Sequence, residues 1–340
     1  MTLGDGAWLC AFVASLAAVL AASDRLVRAV EAAGDHFAWP PALVGLVAAA
    51  GADGPEVTAA IVSLVKGQHD VSLGVILGSN LFNLAALLGL PILLVGFVGA
   101  RRRGVVLNGT TLVVVTILAA LLVAGKLPVL LVDGLVAATL AAYASVLIRG
   151  NTGPAAGLTG AVGGAPARQG DDEAEEQRAR AREEDAAQGF PPSGRLLLVG
   201  LLATAVVIGG CALLVNATLY LAPVVHLPRA WTGIFGLAIL TSLPNVWVAL
   251  ALARRGRGAV LVSAVCNSNT INLAFGICLP ALFTAIVPSA TVLHLDVPVL
   301  LLLSVLAIAL IWRNQGLGRR AATCLVVIYL AYAVIRTLMG

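Results

Sequence analysis

The chain has 340 residues, of which 60% are hydrophobic and 11% charged, with a mean hydropathy of +0.99. Soluble domains run at about 45–50% apolar and about 25% charged residues, so this composition argues against a water-soluble enzyme or a nucleic-acid binder and excludes a disordered or fibrous chain. The net charge of +4 is read as loop charge set against a membrane rather than as the mark of an anionic partner.

From the N-terminus, MTLGDGAW carries no Lys or Arg, so the basic start of a cleaved signal peptide is missing and the first apolar run is predicted to be a permanent span. Stretches of about 20 mostly apolar residues, enough to cross a bilayer, fall at 7–22, 40–65, 71–97, 104–124, 127–148, 195–221, 228–253, 259–286, 295–312 and 320–338. The first is short, and the third is long enough to tilt. Between the fifth and sixth lies a segment that is first rich in Gly, Ala and Pro and then reads DDEAEEQRARAREED. It is predicted to be a flexible, solvated linker, 150–194. The expected fold is all-α: a polytopic membrane protein of ten transmembrane helices arranged as two inverted five-helix repeats, 1–149 and 195–340.

Orientation follows from the basic residues. Of the 21 Lys and Arg, 17 fall on the loops of one side, including Arg101, Arg102, Arg103, the linker and Arg319, and four (Lys66, Lys126, Arg229, Arg336) fall on the other. The positive-inside bias then places the linker in the cytoplasm and both termini outside. Trp8, Trp39, Trp231 and Trp312 fit interfacial anchors, and the five cysteines read as small core residues. His36, His69, His226 and His294 are scattered without zinc spacing.

The functional signal is an internal repeat. Residues 51–83 (GADGPEVTAAIVSLVKGQHDVSLGVILGSNLFN) align without a gap on 240–272 (LTSLPNVWVALALARRGRGAVLVSAVCNSNTIN) at a constant offset of 189. Pro55 falls on Pro244, Gly67 on Gly256, Ser79-Asn80 on Ser268-Asn269 and Asn83 on Asn272. The copies lie five spans apart, so they face opposite ways through the bilayer, the signature of a transporter. In each copy a mid-span proline is predicted to break the helix, so that a second half-helix begins at Glu56 or Asn245. The Asn-bearing segment follows on the next span. Carboxylates, amides and hydroxyls are hard oxygen donors suited to Ca2+ or Na+. Asp53 and Glu56, three residues apart at membrane depth, are the decisive pair, because carboxylates there are expensive and functional by default. The bland alternative is that Asp53 only caps the following half-helix. Asp70 reads as a loop cap and Asp133 as an interfacial structural residue.

At these residues the sequence resembles the calcium/cation antiporter superfamily, which includes the sodium/calcium exchangers and whose two repeats read roughly GTSLPE…G…D…GN..GSN.FN. The first copy matches through Gly51, Pro55, Glu56, Gly67, Asp70, Gly74, Gly78, Ser79, Asn80, Phe82 and Asn83. The second matches through Thr241, Ser242, Leu243, Pro244, Ser268, Asn269 and Asn272. The resemblance implies Ca2+ export in exchange for Na+ by alternating access at a midplane site. Glu56 and Asp53 would hold Ca2+. Asn80, Asn245, Thr241, Ser242 and Asn269 would complete the cation ligands, with Ser79, Ser268, Asn83 and Asn272 in support. The chain departs from the pattern where Ala52-Asp53 replace Thr-Ser, Asn245 replaces the second acid and Asn267 replaces a glycine. An H+-coupled Ca2+ or cation antiporter of the same fold, or a relative that binds ions without moving them, remains open. A membrane enzyme such as a polyprenyl transferase or intramembrane protease would need paired aspartates such as DDxxD, or a Ser/His or Asp/Asp site at depth, and the one Asp-Asp pair, Asp171-Asp172, lies in the linker. No catalytic residue or cofactor is expected; the implied partners are inorganic cations and the lipid bilayer, with no nucleic acid.

Overall fold

Apolar spans fold as helices because hydrocarbon offers backbone N–H and C=O groups no other partner. A computed structural model describes residues 3–36, 53–150, 192–225, 231–254, 256 and 258–339. Most of the linker (151–191), residues 37–52 with Trp39, residues 226–230 with His226 and Arg229, Arg255, Arg257 and the side chains of Pro244 and Trp247 lie outside the described residues.

In chain order come α1 (Leu3–His36), α2 (Gly54–Val65), α3 (His69–Phe82), a π-helical turn (Asn83–Leu87), α4 (Leu88–Val95), β1 (Phe97–Gly99), α5 (Arg102–Val123) and α6 (Val129–Gly150). The second part holds α7 (Pro192–Val224), a π turn (Thr232–Leu237), α8 (Ala238–Arg254), α9 (Gly258–Leu273), a π turn (Ala274–Cys278) and the single-turn α10 (Leu279–Ala281). It closes with a π turn (Val292–Asp296), α11 (Val297–Asn314), β2 (Gly316–Gly318) and α12 (Arg319–Met339). Among the described residues eight helical segments are long and apolar enough to cross a membrane, at the first, third to sixth and eighth to tenth expected spans. The second and seventh carry the shorter apolar helices Gly54–Val65 and Thr232–Ser242.

Three features differ from expectation. Helix α1 spans 34 residues rather than 7–22, because Arg25, Arg28 and their neighbours continue the helix past the apolar run instead of ending it. At ~1.5 Å per residue it outreaches the ~30 Å hydrocarbon core. The fold is not wholly α: β1 pairs antiparallel with β2 in register Phe97↔Gly318, Val98↔Leu317 and Gly99↔Gly316. Finally, the second copy has no break at its proline, since α8 runs continuously from Ala238 to Arg254. The chain departs from regular α geometry earlier, in the π turn Thr232–Leu237. Only the first copy starts a helix at its proline, with Pro55 in the first turn of α2.

The π turns after the Asn motifs have a common cause. Pro91 lies inside α4 and Pro280 in α10, again 189 residues apart. A proline cannot donate to the carbonyl four residues back and its ring crowds that carbonyl, so the preceding turn widens.

The two motif-bearing segments form the centre of the molecule. The most apolar stretch of His69–Val95 is 100% buried and that of Gly258–Ala281 78%, against 17–28% for α1, α6, α7 and α12. What those outer helices expose is apolar, for example Leu130, Leu201 and Leu338, the reverse of a water-facing surface. Helix α3 crosses the π turn Thr232–Leu237 backbone to backbone. A Cβ on Gly78 would stand 2.4 Å from the Ile234 carbonyl oxygen, and one on Gly233 2.6 Å from that of Val71. The β1–β2 ribbon joins the loop before Arg101 to the loop before Arg319, and Gly258, just past Arg254, abuts Val98 and Gly99. Three basic loops therefore meet on one face.

Candidate cation site

At the crossing of the two motif copies, buried polar side chains bond one another in pairs that map onto themselves when the halves are exchanged. Asn80 Nδ2 donates to the Asn269 carbonyl oxygen at 3.0 Å, and Asn269 Nδ2 donates to the Asn80 carbonyl at 3.1 Å. Asn83 Nδ2 donates to Asn269 Oδ1 at 3.0 Å, and its repeat mate Asn272 donates to Asn80 Oδ1 at 3.1 Å. Ser268 Oγ donates to Asp53 Oδ1 at 2.7 Å, and the mate of that contact joins Ser79 and Ser242 hydroxyls at 2.9 Å. Asp53 thus stands where the other half places Ser242.

Two further bonds tie the acids into this network. Ser242 Oγ donates to Glu56 Oε1 at 3.0 Å, so the Ser79 proton goes to Ser242. Asn83 Nδ2 also donates to Ser268 Oγ at 3.2 Å, freeing the Ser268 proton for Asp53. Asp53 and Glu56 are fully buried, as are Ser79, Asn80, Asn83, Ser242, Asn269 and Asn272. Asp53 occupies the position just before α2 but makes no capping bond with its side chain. The capping alternative is therefore overturned: the carboxylate is turned to Ser268 of the other half.

Four buried oxygens here find no hydrogen-bond partner: Asp53 Oδ2, Glu56 Oε2, Asn83 Oδ1 and Asn272 Oδ1. All four are acceptors, and two are repeat mates. Buried polar atoms left unpaired cost about 1–3 kcal/mol each, and a hard cation is a partner that suits acceptors of this kind. Among the described residues no three His, Cys, Asp or Glu side chains gather as a metal cluster. The donor set is two carboxylates with neutral amide and hydroxyl oxygens, which fits an ion held and released rather than a resident metal.

The expected residues divide as follows. Thr241 is buried beside the network, but its hydroxyl donates to Leu237 and Ala238 carbonyls of its own helix at 2.9 and 3.3 Å, leaving only its oxygen lone pairs free. Asn245, the mate of Glu56, is half-buried, and among the described residues no hydrogen bond joins it to the network. All the other expected residues come together. Asp70 is not a loop cap: it lies in the first turn of α3 and accepts the Ser289 N–H at 3.2 Å, from the other half. Arg336, counted above as a loop charge, is buried in α12 and pairs with buried Asp296 at 3.1 Å, which also accepts the Tyr332 hydroxyl at 2.9 Å. Sequence reading passed over Asp296 because it stands at the mouth of an apolar run. The spacing of Arg336 from Tyr332, one helical turn, was the available signal.

This fold and site define a membrane protein of the cation exchanger class. A model of the sodium/calcium exchanger protein family matches residues 7–149 and again 195–338, and the chain belongs to that family. The inner membrane protein YrbG of Escherichia coli is 28% identical over 311 residues, covering 89% of this chain and 88% of that protein. The sodium/calcium exchanger MaX1 of Methanosarcina acetivorans is 25% identical over 135 residues, 40% of this chain and 39% of its own. Among solved structures, the H+/Ca2+ exchanger CAX superposes with a TM-score of 0.73 at 15% identity, covering 96% of this chain and 82% of that one. The sodium-calcium exchanger NCX_Mj, soaked with Na+ and Sr2+, superposes at 0.62 and 18% identity, covering 97% and 99%. The protein is an integral membrane protein whose two matched segments fit an inverted repeat.

Proposed function

We propose that the protein is a secondary active antiporter that exports Ca2+ in exchange for Na+, by alternating access at the crossing of its two halves near the bilayer midplane. The observation that carries this reading is the pair of fully buried carboxylates, Asp53 and Glu56, each with one oxygen tied to a serine of the other half and one oxygen without a partner. Two negative charges neutralise one Ca2+. The network that ties them spans both halves, so a change in how the halves sit alters the ion's ligands.

In this reading Asp53 compensates for Asn245. One hairpin supplies both charges, and the charge of the site stays at two while its two-fold symmetry is lost. The linker and the three basic loops face the cytoplasm, both termini face outward, and the host membrane is a bacterial inner membrane. The meeting of Arg101, Arg254 and Arg319 loops on one face supports the orientation.

Coupling to H+ is the second reading. The observation that favours it is the placement of both acids on one turn with Asn245 outside the network, which removes a ligand for a coupled Na+ and leaves two adjacent carboxylates that a proton can serve in place of a cation. Purified protein in proteoliposomes, given 45Ca2+ outside and an outward Na+, K+ or H+ gradient, separates the two. Uptake driven by Na+ alone supports the first, and uptake driven by H+ alone the second.

A further inference from the structure

Outside the cation network the core holds a second set of repeat-related polar contacts. Tyr143 and Tyr332 are 189 residues apart, and both are buried. Each reaches back to the start of the preceding long helix: Tyr332 to Asp296 at 2.9 Å, and Tyr143 to Asn108 Oδ1 at 2.7 Å. The two differ in what else they hold. Tyr332 shares its Asp296 partner with Arg336, and none of these three bonds to the cation network. Tyr143 also lies 2.7 Å from Asn267 Oδ1 on α9, and Asn108 Nδ2 donates to Ser263 Oγ of the same helix at 3.1 Å.

Asn267 immediately precedes Ser268, which donates to Asp53 and accepts from Asn83. Its repeat mate is Gly78, immediately before Ser79. In the first copy the close crossing of Gly78 with the Ile234 backbone fixes Ser79. The second copy has a side chain at that position, and its Oδ1 meets the Tyr143 hydroxyl of the fifth span at 2.7 Å. Two of this chain's departures, Asp53 and Asn267, are thereby neighbours through one residue, Ser268.

We infer that Tyr143 and Asn267 form a clamp that positions Ser268, and through it Asp53, for cation binding. The inference rests on the exchange reading above. Tyr143 touches no cation ligand directly, so it is a positioning residue.

The test compares hydroxyl deletions at the two mates, with equilibrium 45Ca2+ binding and gradient-driven uptake measured on each purified variant. Loss of one hydrogen bond, worth about 1 kcal/mol, corresponds to about a five-fold change. Tyr143→Phe is expected to raise the Ca2+ concentration for half-maximal binding and uptake about five-fold, with maximal rate within about two-fold. Tyr332→Phe, which removes the same group on the other side, is expected to leave both constants unchanged. Asn267→Ala should match Tyr143→Phe, and the double variant should be no worse than either alone. Equal effects of the two tyrosine changes, additive effects at 143 and 267, or unchanged Ca2+ constants in Tyr143→Phe would overturn the clamp. Should Tyr143→Phe fail to fold, Asn267→Gly, which restores the residue type of the mate, carries the same expectation. A wild-type protein that binds Ca2+ without moving it refutes the exchange reading alone, because the binding constants still measure the clamp; one that does neither refutes both.

Discussion

Asp53→Ser isolates charge from geometry. The mate of this position is Ser242, whose hydroxyl already takes a 2.9 Å hydrogen bond from Ser79. A serine at 53 can take the bond that Ser268 now gives to Asp53 Oδ1 at 2.7 Å. No cap is lost, because Asp53 makes none with its side chain. What disappears is one of two negative charges and the unpartnered oxygen Oδ2. Leaving a buried charge short of its partner costs about 3–5 kcal/mol, which corresponds to a fall of roughly two to four orders of magnitude in Ca2+ affinity. Thermal stability without Ca2+ should hold or rise, since two like charges on one turn no longer repel. The assay is 45Ca2+ binding with a thermal melt on the same sample, repeated for Asp53→Ser with Asn245→Glu. The double variant is expected to recover part of the loss, because position 245 is the repeat mate of Glu56 and a carboxylate there rebuilds the two-fold charge arrangement. Unchanged Ca2+ affinity in Asp53→Ser would refute the compensation argument.

Gly78→Ala should prevent correct folding, since its Cβ would stand 2.4 Å from the Ile234 carbonyl; a monodisperse, fully folded variant by size-exclusion chromatography would contradict the close crossing. Arg336→Met leaves the Asp296 carboxylate buried and unpaired, and is expected to destabilise the fold by about 3–5 kcal/mol, with Asp296→Asn added to it recovering most of the loss in a thermal melt. A single cysteine placed in the linker of a variant lacking the native five should resist an impermeant thiol reagent applied to intact cells; labelling from outside would reverse the proposed orientation.

The spans and the site hairpins were legible for one reason: hydrocarbon imposes a length and a composition on every crossing helix. The repeat at 189 residues was equally legible, and it anticipated which side chains would meet. The reciprocal amide bonds of Asn80 and Asn269 are that offset made physical. The equal design of the two prolines was misread. Pattern shows where a proline stands, but whether a helix breaks there depends on what packs against the turn, and α8 continues. The short β1–β2 ribbon was hidden because three-residue strands leave no periodicity. Arg336 looked like a loop charge because hydropathy does not reveal a partner, and Asp296 is 40 residues away in sequence. The weight of Asn83 and Asn272 was underrated for a similar reason, since only the fold shows that each leaves a buried carbonyl oxygen unpartnered.

The central claim is that buried Glu56, with Asp53, carries Ca2+ across the membrane in exchange for another cation. The direct test is 45Ca2+ uptake by proteoliposomes loaded with Na+ and diluted into Na+-free buffer, with wild-type protein beside Glu56→Gln at equal reconstitution. The account predicts concentrative uptake by the wild type that collapses when the Na+ gradient is abolished, and uptake at the level of empty vesicles for Glu56→Gln. Near-normal Ca2+ flux through Glu56→Gln would contradict it.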